Sequence, residues 1–179
     1  MAASLSKSPD QLAVETKEDP SVTWEVRIAR DWMALACAPQ DYYSNREVMM
    51  QAVQQSGWAL QYADEELLED EELVLEALRH SFGDAIQFAP ELHRDKQFML
   101  KAVKVSPHVL KYVPDSYLRD SEFILDAVER NWMALGYAAD QLKADHNIVL
   151  AAVRQNGLAL KYAAMELRAD RIVAIAAVQ

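Results

Sequence analysis

The sequence predicts an all-α protein, a solenoid of about six and a half helix-turn-helix repeats of 25 residues each. The first observation behind this prediction is that identical residues recur at a fixed interval. Alanine recurs at Ala52, Ala77, Ala102, Ala127, Ala152 and Ala177, and aspartate at Asp70, Asp95, Asp120, Asp145 and Asp170. The second is that apolar residues within each interval follow a helical spacing. A fixed period of this length is typical of arrays in which each repeat stacks on its neighbours.

The apolar spacing predicts two short helices in each repeat. In the repeat that begins near residue 146, the first helix carries Ile148, Val149, Leu150, Ala152 and Val153, and the second carries Leu160, Tyr162, Ala163 and Leu167. Both sets fall on one face of a helix. Pairs such as Ser56-Gly57 and Asn156-Gly157 separate the two helices. Glycine and asparagine tolerate the positive φ that ends many helices, so we expect that conformation here.

Three repeat positions have predicted structural roles. The recurring aspartate precedes each first helix, where its carboxylate can cap the exposed N–H groups. The apolar positions of the second half place Leu135 and Tyr137 in the core. Cys37 replaces the recurring tyrosine, and because free cysteine is among the most buried residue types, we expect it to be buried.

The periodicity also predicts the domain organisation. Residues 1–20 form a polar N-terminal extension, and residues 21–179 form the repeat array. The repeats begin near residues 21, 46, 71, 96, 121 and 146, with a partial repeat from 171. The first repeat is degenerate, as expected for an end repeat, because Glu25 and Arg27 stand where other repeats are apolar. In the third repeat the aromatic residue is Phe88, one position late, which predicts an extra residue near 80–82.

One repeat motif resembles a known family. Residues 148–163 read Ile-Val-Leu-Ala-Ala-Val-Arg-Gln-Asn-Gly-Leu-Ala-Leu-Lys-Tyr-Ala, followed by Leu167 and Asp170. This string is similar to the repeat known as domain of unknown function 4116. The resemblance covers about 21–179 and is clearest over 46–179. It implies tandem arrays of short helices, and it carries over no catalytic residue, because the family has no assigned activity.

Composition and charge narrow the classes of partner and compartment. The net charge of −10 disfavours nucleic acid, whose phosphates would meet a mostly negative surface. The sequence has no apolar run long enough for a membrane-spanning helix, although peripheral association with a membrane complex stays open. The first 20 residues have no secretory signal. We therefore expect an intracellular protein, with cytoplasm and organelle interior not distinguished.

The sequence contains no recognisable catalytic or metal-binding motif. The four histidines occupy unrelated repeat positions, and a single cysteine allows neither a zinc cluster nor a disulfide within the chain. No glycine-rich phosphate loop and no nucleophile-elbow pattern is present. The prediction is a protein that is not an enzyme and that has no cofactor and no metal site.

The tryptophans are the first candidates for partner contacts. Trp32 and Trp132 stand at the turn where other repeats have glycine or proline, and Trp58 lies one residue later. They fit either of two roles, packing of the turn or anchoring of a partner, since aromatic side chains are enriched at interface hot spots. Trp24 lies in the degenerate first helix and is the best single candidate for an end-face contact.

Charged and terminal residues complete the candidate set. Residues 64–72 contain seven carboxylates, including Glu65, Glu66, Glu69, Glu71 and Glu72, which are either solvated helix ends or a docking ridge for a basic partner. The fourth repeat is basic and carries Lys101 and Lys104. The partial last repeat is expected to expose Ile172, Val173, Ile175 and Val178, and exposed apolar patches usually mark interaction sites.

These features favour a non-catalytic helical-repeat scaffold, most specifically a peripheral subunit of a larger assembly of protein chains. The alternative is a free-standing adaptor or effector that binds peptide segments. A small-ligand binder or an enzyme is the third hypothesis.

Overall fold

The computed structural model describes residues 22–178, and within this range the chain is helical and contains no strand. The α-helices are α1 (Trp24–Arg30), α2 (Arg46–Gln55), α3 (Glu65–Leu68), α4 (Glu71–Arg79), α5 (Lys96–Val105), α6 (Asp115–Leu118), α7 (Ser121–Arg130), α8 (Asp140–Lys143), α9 (His146–Gln155), α10 (Met165–Arg168) and α11 (Arg171–Ala177). Short 3-10 helices cover Trp32–Cys37, Gln40–Tyr42, Gly57–Tyr62, Asp84–Phe88, Leu92–Arg94, Pro107–Lys111, Trp132–Gly136 and Gly157–Tyr162. The predicted all-α tandem-repeat architecture is confirmed. The polar extension predicted at 1–20 lies outside the described residues.

The second half of each repeat differs from the prediction of one continuous helix. It consists of a 3-10 helix, an extended link and a single α-helical turn, as in Gly157–Tyr162 followed by α10. In the first and third repeats, 3-10 turns at Gln40–Tyr42 and Leu92–Arg94 take the place of the α-helical turn. In three repeats, a hydrogen bond to the preceding repeat is made at this break. The Ala164 N–H donates to the Lys143 carbonyl at 2.9 Å, so it is not available to a local helix. The N–H groups of Asp64 and Ala139 make the equivalent bonds to Tyr43 and Leu118.

The aspartate caps are present as predicted. The Asp145 carboxylate accepts hydrogen bonds from the backbone N–H groups of Asn147 and Ile148, at 2.8 and 3.1 Å. The carboxylates of Asp70, Asp95, Asp120 and Asp170 accept in the same way, and Asn45 takes this role at α2. Each first helix from α2 onward therefore begins at a side-chain cap that the sequence repeats in register.

After most of the first helices, the backbone of the turn differs from the expected left-handed conformation. Ser56, Asn131 and Asn156 are all extended rather than left-handed. Glycine is needed here for space. A Cβ on Gly57 would lie 2.0 Å from the Ala77 carbonyl oxygen, and a Cβ on Gly157 would lie 1.9 Å from the Ala177 oxygen. The next first helix thus approaches the turn so closely that a side chain would collide with its backbone.

Of three residues predicted to be buried, one is buried, one is half-buried and one is exposed. The Leu135 side chain is fully buried. Tyr137 is only half-buried, and its hydroxyl lies 2.6 Å from His108 Nδ1. Cys37, which was expected to be buried, is exposed. Its position lies on the half-exposed tyrosine column, and a short side chain there does not reach back to the core.

The chain divides into two compact units, one up to Ser81 and the other from Phe82 onward. In the first unit, α1 packs on α2 and α2 packs on α4. In the second, α5, α7, α9 and α11 pack in sequence. The extra residue predicted near 80–82 lies at the division, where Phe82 and Gly83 have φ values of 53° and 90°.

Candidate partner-binding surfaces

The acidic residues of 64–72 occupy the first turns of two helices. Glu65 and Glu66 begin α3, and Glu71 and Glu72 begin α4, where carboxylates interact favourably with the helix dipole. Glu65, Glu66, Glu69 and Glu72 are exposed, and Glu71 is half-buried. The local structure of the repeat therefore accounts for where these charges stand.

Part of this acidic segment is paired within its own unit. Arg46 on α2 reaches the carboxylates of Asp70 and Glu72, each at 2.6 Å. The hydrogen bond from Arg46 is the main cause that lowers the pKa of the Asp70 carboxyl below its ordinary value. This pairing ties the start of α4 to the start of the preceding first helix, so Asp70 serves a structural role inside the array.

The basic residues of the fourth repeat are also partly engaged. Lys96 Nζ lies 2.5 Å from the Asp120 carboxylate of the next repeat, and Lys111 Nζ lies 3.5 Å from Asp84. Lys101 and Lys104 are exposed on α5. The candidate lysines therefore project into solvent, while two of their neighbours link repeats.

Two tryptophans have packing roles that involve the next repeat. The backbone N–H of Trp32 donates to Gln55 Oε1 at 3.0 Å, and Gln55 Nε2 donates to the Ile28 carbonyl at 2.8 Å. In the second unit, the Trp132 ring lies 6.2 Å from the Tyr162 ring, while Gln155 Nε2 donates to the Val128 carbonyl at 2.6 Å. Both rings are half-buried, which favours turn packing for this pair.

The other two tryptophans differ in their exposure. Trp24 is half-buried on α1, and the Arg27 guanidinium carbon lies 4.9 Å from its ring centre. Trp58 is exposed. Trp24, Trp32 and Trp58 belong to the first unit, and Trp132 belongs to the second.

The largest exposed apolar set lies on and beside α11. Ile172 and Ile175 keep 62% and 47% of their surface accessible, and Val178, after the helix, keeps 83%. Leu158 and Met165 are exposed in the preceding segment. Val173 contradicts the sequence expectation because it is fully buried, and α11 packs on α9.

The comparison with known proteins gives the family of the repeat. The family described as Domain of unknown function (DUF4116) matches residues 45–94, 80–119, 95–143, 120–168 and 145–179 in overlapping segments. The chain belongs to the DUF4116 family. No curated protein and no solved structure matches it. The identification agrees with the repeat motif and assigns no activity.

Several exposed apolar residues of this DUF4116 chain were not among the sequence candidates. Met165 and Leu158 are exposed in the second unit, as are Met33 in the first unit and Phe82 at the start of the second. A signal for Met165 existed in the sequence. The equivalent positions of other repeats hold Glu65, Asp115 and Asp140. Met165 is an apolar residue at a repeat position that is acidic in those three repeats, and this contrast indicated an exposed apolar side chain.

Metal clusters, membrane-spanning helices and surface depressions are the other features that could mark a site in the DUF4116 array. Across the described residues, no group of three or more His, Cys, Asp or Glu side chains is placed to hold a metal ion. The helices of residues 22–178 are all too short or too polar to cross a bilayer. Open surface depressions occur beside α8, lined by Arg119, Ala139, Asp140 and Gln141, and beside α3, lined by Gln40, Ser44, Asp64, Glu65 and Glu66.

Proposed function

We propose that this protein is a non-catalytic helical-repeat scaffold that binds other protein chains, as a peripheral subunit of a larger assembly. The observation that carries the proposal is the apolar outer side of α11, formed by Ile172, Ile175 and Val178. Clusters of exposed apolar side chains on soluble domains usually mark contact surfaces.

The repeat pattern supports the proposal that the exposed apolar side chains of α11 form a contact surface. Val178 occupies the repeat position of Val103, Val128 and Val153, which are all buried because the next first helix covers them. Each buried apolar side chain of this size contributes about 1.5–3 kcal/mol when it leaves water. A partner that covers the outer side of α11 therefore gains the same kind of stabilisation that holds the array together.

Site-specific photo-cross-linking in the native source tests this function. A photoreactive amino acid replaces Ile175 in one tagged variant and Glu129, an exposed residue on α7, in a matched control. The expected result is a discrete covalent adduct with another protein chain from position 175 and none from position 129. The tagged chain should also elute with that protein at a mass well above its own.

Two results would count against the assembly-subunit role. A chain that elutes alone as a monomer and forms no adduct at position 175 would contradict it. Transient adducts with short segments of several proteins, from a chain that otherwise elutes alone, would instead favour the free-standing peptide-binding adaptor.

A further inference from the structure

In the second and fourth repeats, a cation at the start of the first helix links it to the first helix that follows. Arg46, the first residue of α2, bonds the cap Asp70 of α4 at 2.6 Å. Lys96, the first residue of α5, pairs in the same way with Asp120, the cap of α7. Each pair joins two packed helices, because α2 packs on α4 and α5 packs on α7. Lysine and arginine keep their charge at neutral pH, so both links are permanent.

The equivalent contact between α9 and α11 has a histidine in place of the permanent cation. His146 is the first residue of α9, and Asp170 caps α11, which packs on α9. Both side chains are half-buried. Among the first helices from α2 to α11, only α9 begins with a side chain whose charge changes near neutral pH. The positive end of the helix dipole disfavours a cation there, but the same holds at the starts of α2 and α5, where the ion pairs form.

The Asp170 carboxyl is the negative partner in this contact. Its pKa lies below its ordinary value, first because the Val173 N–H donates to it at 3.0 Å, and further because of the Ile172 N–H and the positive charge of His146. Partial burial of the carboxyl acts in the opposite direction. Asp170 is therefore ionised throughout the range in which a histidine changes its charge, about pH 5.5–7.5. The charge of the histidine decides whether the two side chains attract each other.

We propose that His146 and Asp170 form a pH-sensitive latch, which holds the start of α11 on α9 when His146 is protonated and loosens when it is neutral. Stability that depends on a protonated histidine is present below about pH 6.5 and is lost as the pH rises above it. The cap of α11 and the burial of Val173 do not depend on this charge. The expected change at higher pH is therefore more frequent local opening of α11, without unfolding of the unit.

Other charged or titratable side chains occur on α9 and on the elements that pack on it. On α9 itself, Asp145 caps the helix and Arg154 lies near its other end. Lys143 on α8 lies 3.6 Å from Asp140. The others are Glu122, Asp126, Glu129 and Arg130 on α7, Lys161 and Tyr162 on the 3-10 helix Gly157–Tyr162, and Arg171 on α11. None of these carboxylates caps the first helix that follows His146, which is the arrangement of the other two ion pairs.

Hydrogen exchange in the full chain tests the latch at about pH 5.5 and about pH 8, on either side of the histidine titration. The protection of the α11 amides is divided by that of the α9 amides in the same chain, which cancels the dependence on pH that all amide exchange shares. We expect this ratio to fall about threefold from the acidic to the alkaline pH, the effect of two unit charges about 6 Å apart in water.

Three variants isolate the charge pair. His146→Lys supplies a permanent cation, as at Lys96, and should keep the ratio high at both pH values. His146→Gln should keep it low at both. Asp170→Asn keeps a capping oxygen and removes the negative charge, so it should abolish the dependence on pH. The matched control His93→Gln removes another half-buried histidine of the same unit and should leave the dependence unchanged.

NMR of the Val173 methyl groups gives a second readout, because this side chain is buried and α11 packs on α9. Their chemical shifts should change with pH in the unaltered chain and stay constant in His146→Lys. Circular dichroism verifies that each variant keeps its helical content. A ratio that does not depend on pH in the unaltered chain, or a dependence that persists in Asp170→Asn or His146→Gln, would overturn the proposal. Both readouts use the chain by itself, so their failure would leave the proposed scaffold function standing.

Discussion

The helices α9 and α11 occupy equivalent positions in successive repeats, yet among the described residues only α9 is covered on both sides. Val153 on α9 keeps 2% of its surface accessible, whereas the equivalent Val178 keeps 83%. Both helices begin at the same aspartate cap, and both bury the apolar residue three positions after it. The difference shows that the sequence pattern defines a helix with two apolar sides, and that neighbouring structure decides whether the second side is core or surface.

The largest expected effect compares two leucines at one repeat position. Leu135 is fully buried and Leu160 is half-buried. Leu135→Ala should lower the free energy of unfolding by about 2–5 kcal/mol, because it removes buried methyl groups and leaves a cavity. Leu160→Ala should cost less than half as much. Urea unfolding of both variants checks this, and equal losses would show that Leu160 is covered.

The next effect concerns the close approach at Gly157. Gly157→Ala places a methyl group 1.9 Å from the Ala177 carbonyl oxygen, so the end of α11 must move. We expect a loss of about 1–3 kcal/mol, which is typical of overpacking. Because the described residues cover α11 on one side only, the loss should appear as local opening of α11, with the rest of the unit unchanged. Hydrogen exchange measured residue by residue distinguishes this from a uniform loss of protection.

The interior cap gives a smaller effect. Asp145→Ala removes the acceptor for two N–H groups at the start of α9 and should cost about 0.5–2 kcal/mol of unfolding free energy. The variant Asp145→Asn keeps a capping oxygen and serves as the control. A loss in Asp145→Asn as large as that in Asp145→Ala would mean that charge, rather than the cap, is responsible.

The pairing of Lys96 with Asp120 gives a dependence of stability on pH. Arg171, which stands at the same repeat position and has no ion pair among the described residues, should lack it. The hydrogen bond from Lys96 lowers the pKa of the Asp120 carboxyl. Its stabilisation is therefore fully present above the unfolded pKa of about 3.9 and is lost as the pH falls through the lower folded pKa. Lys96→Gln should flatten this acid branch of the stability profile. Arg171→Gln should leave it unchanged in the chain without a partner.

Much of the fold could be predicted from the sequence because its determinants are local. The five aspartates cap helices within three residues of their own position, so periodicity alone located the first helices. In the repeat that begins near residue 146, the break in the second half involves a bond between Ala164 and Lys143, which are far apart in sequence. Pro39 and Pro114, which occupy the repeat position of Ala164 and have no N–H, were a signal for that break.

The candidate surface was harder to predict because exposure depends on which side of a helix the neighbouring repeat covers. Ile175 was identified correctly as exposed, but Val173 was not, since both are apolar and only the packing of α11 on α9 separates them. The exposure of Cys37 and that of Leu158 also depend on which neighbouring residues cover them. Helical spacing gives the face of a helix, and tertiary contact decides its burial.

Hydrogen exchange of α11 and α9 in the free chain tests the central claim most directly. The amides of α11 should exchange faster than those of α9, because the described residues cover α11 on one side only. Equal protection of α11 and α9 would contradict the account.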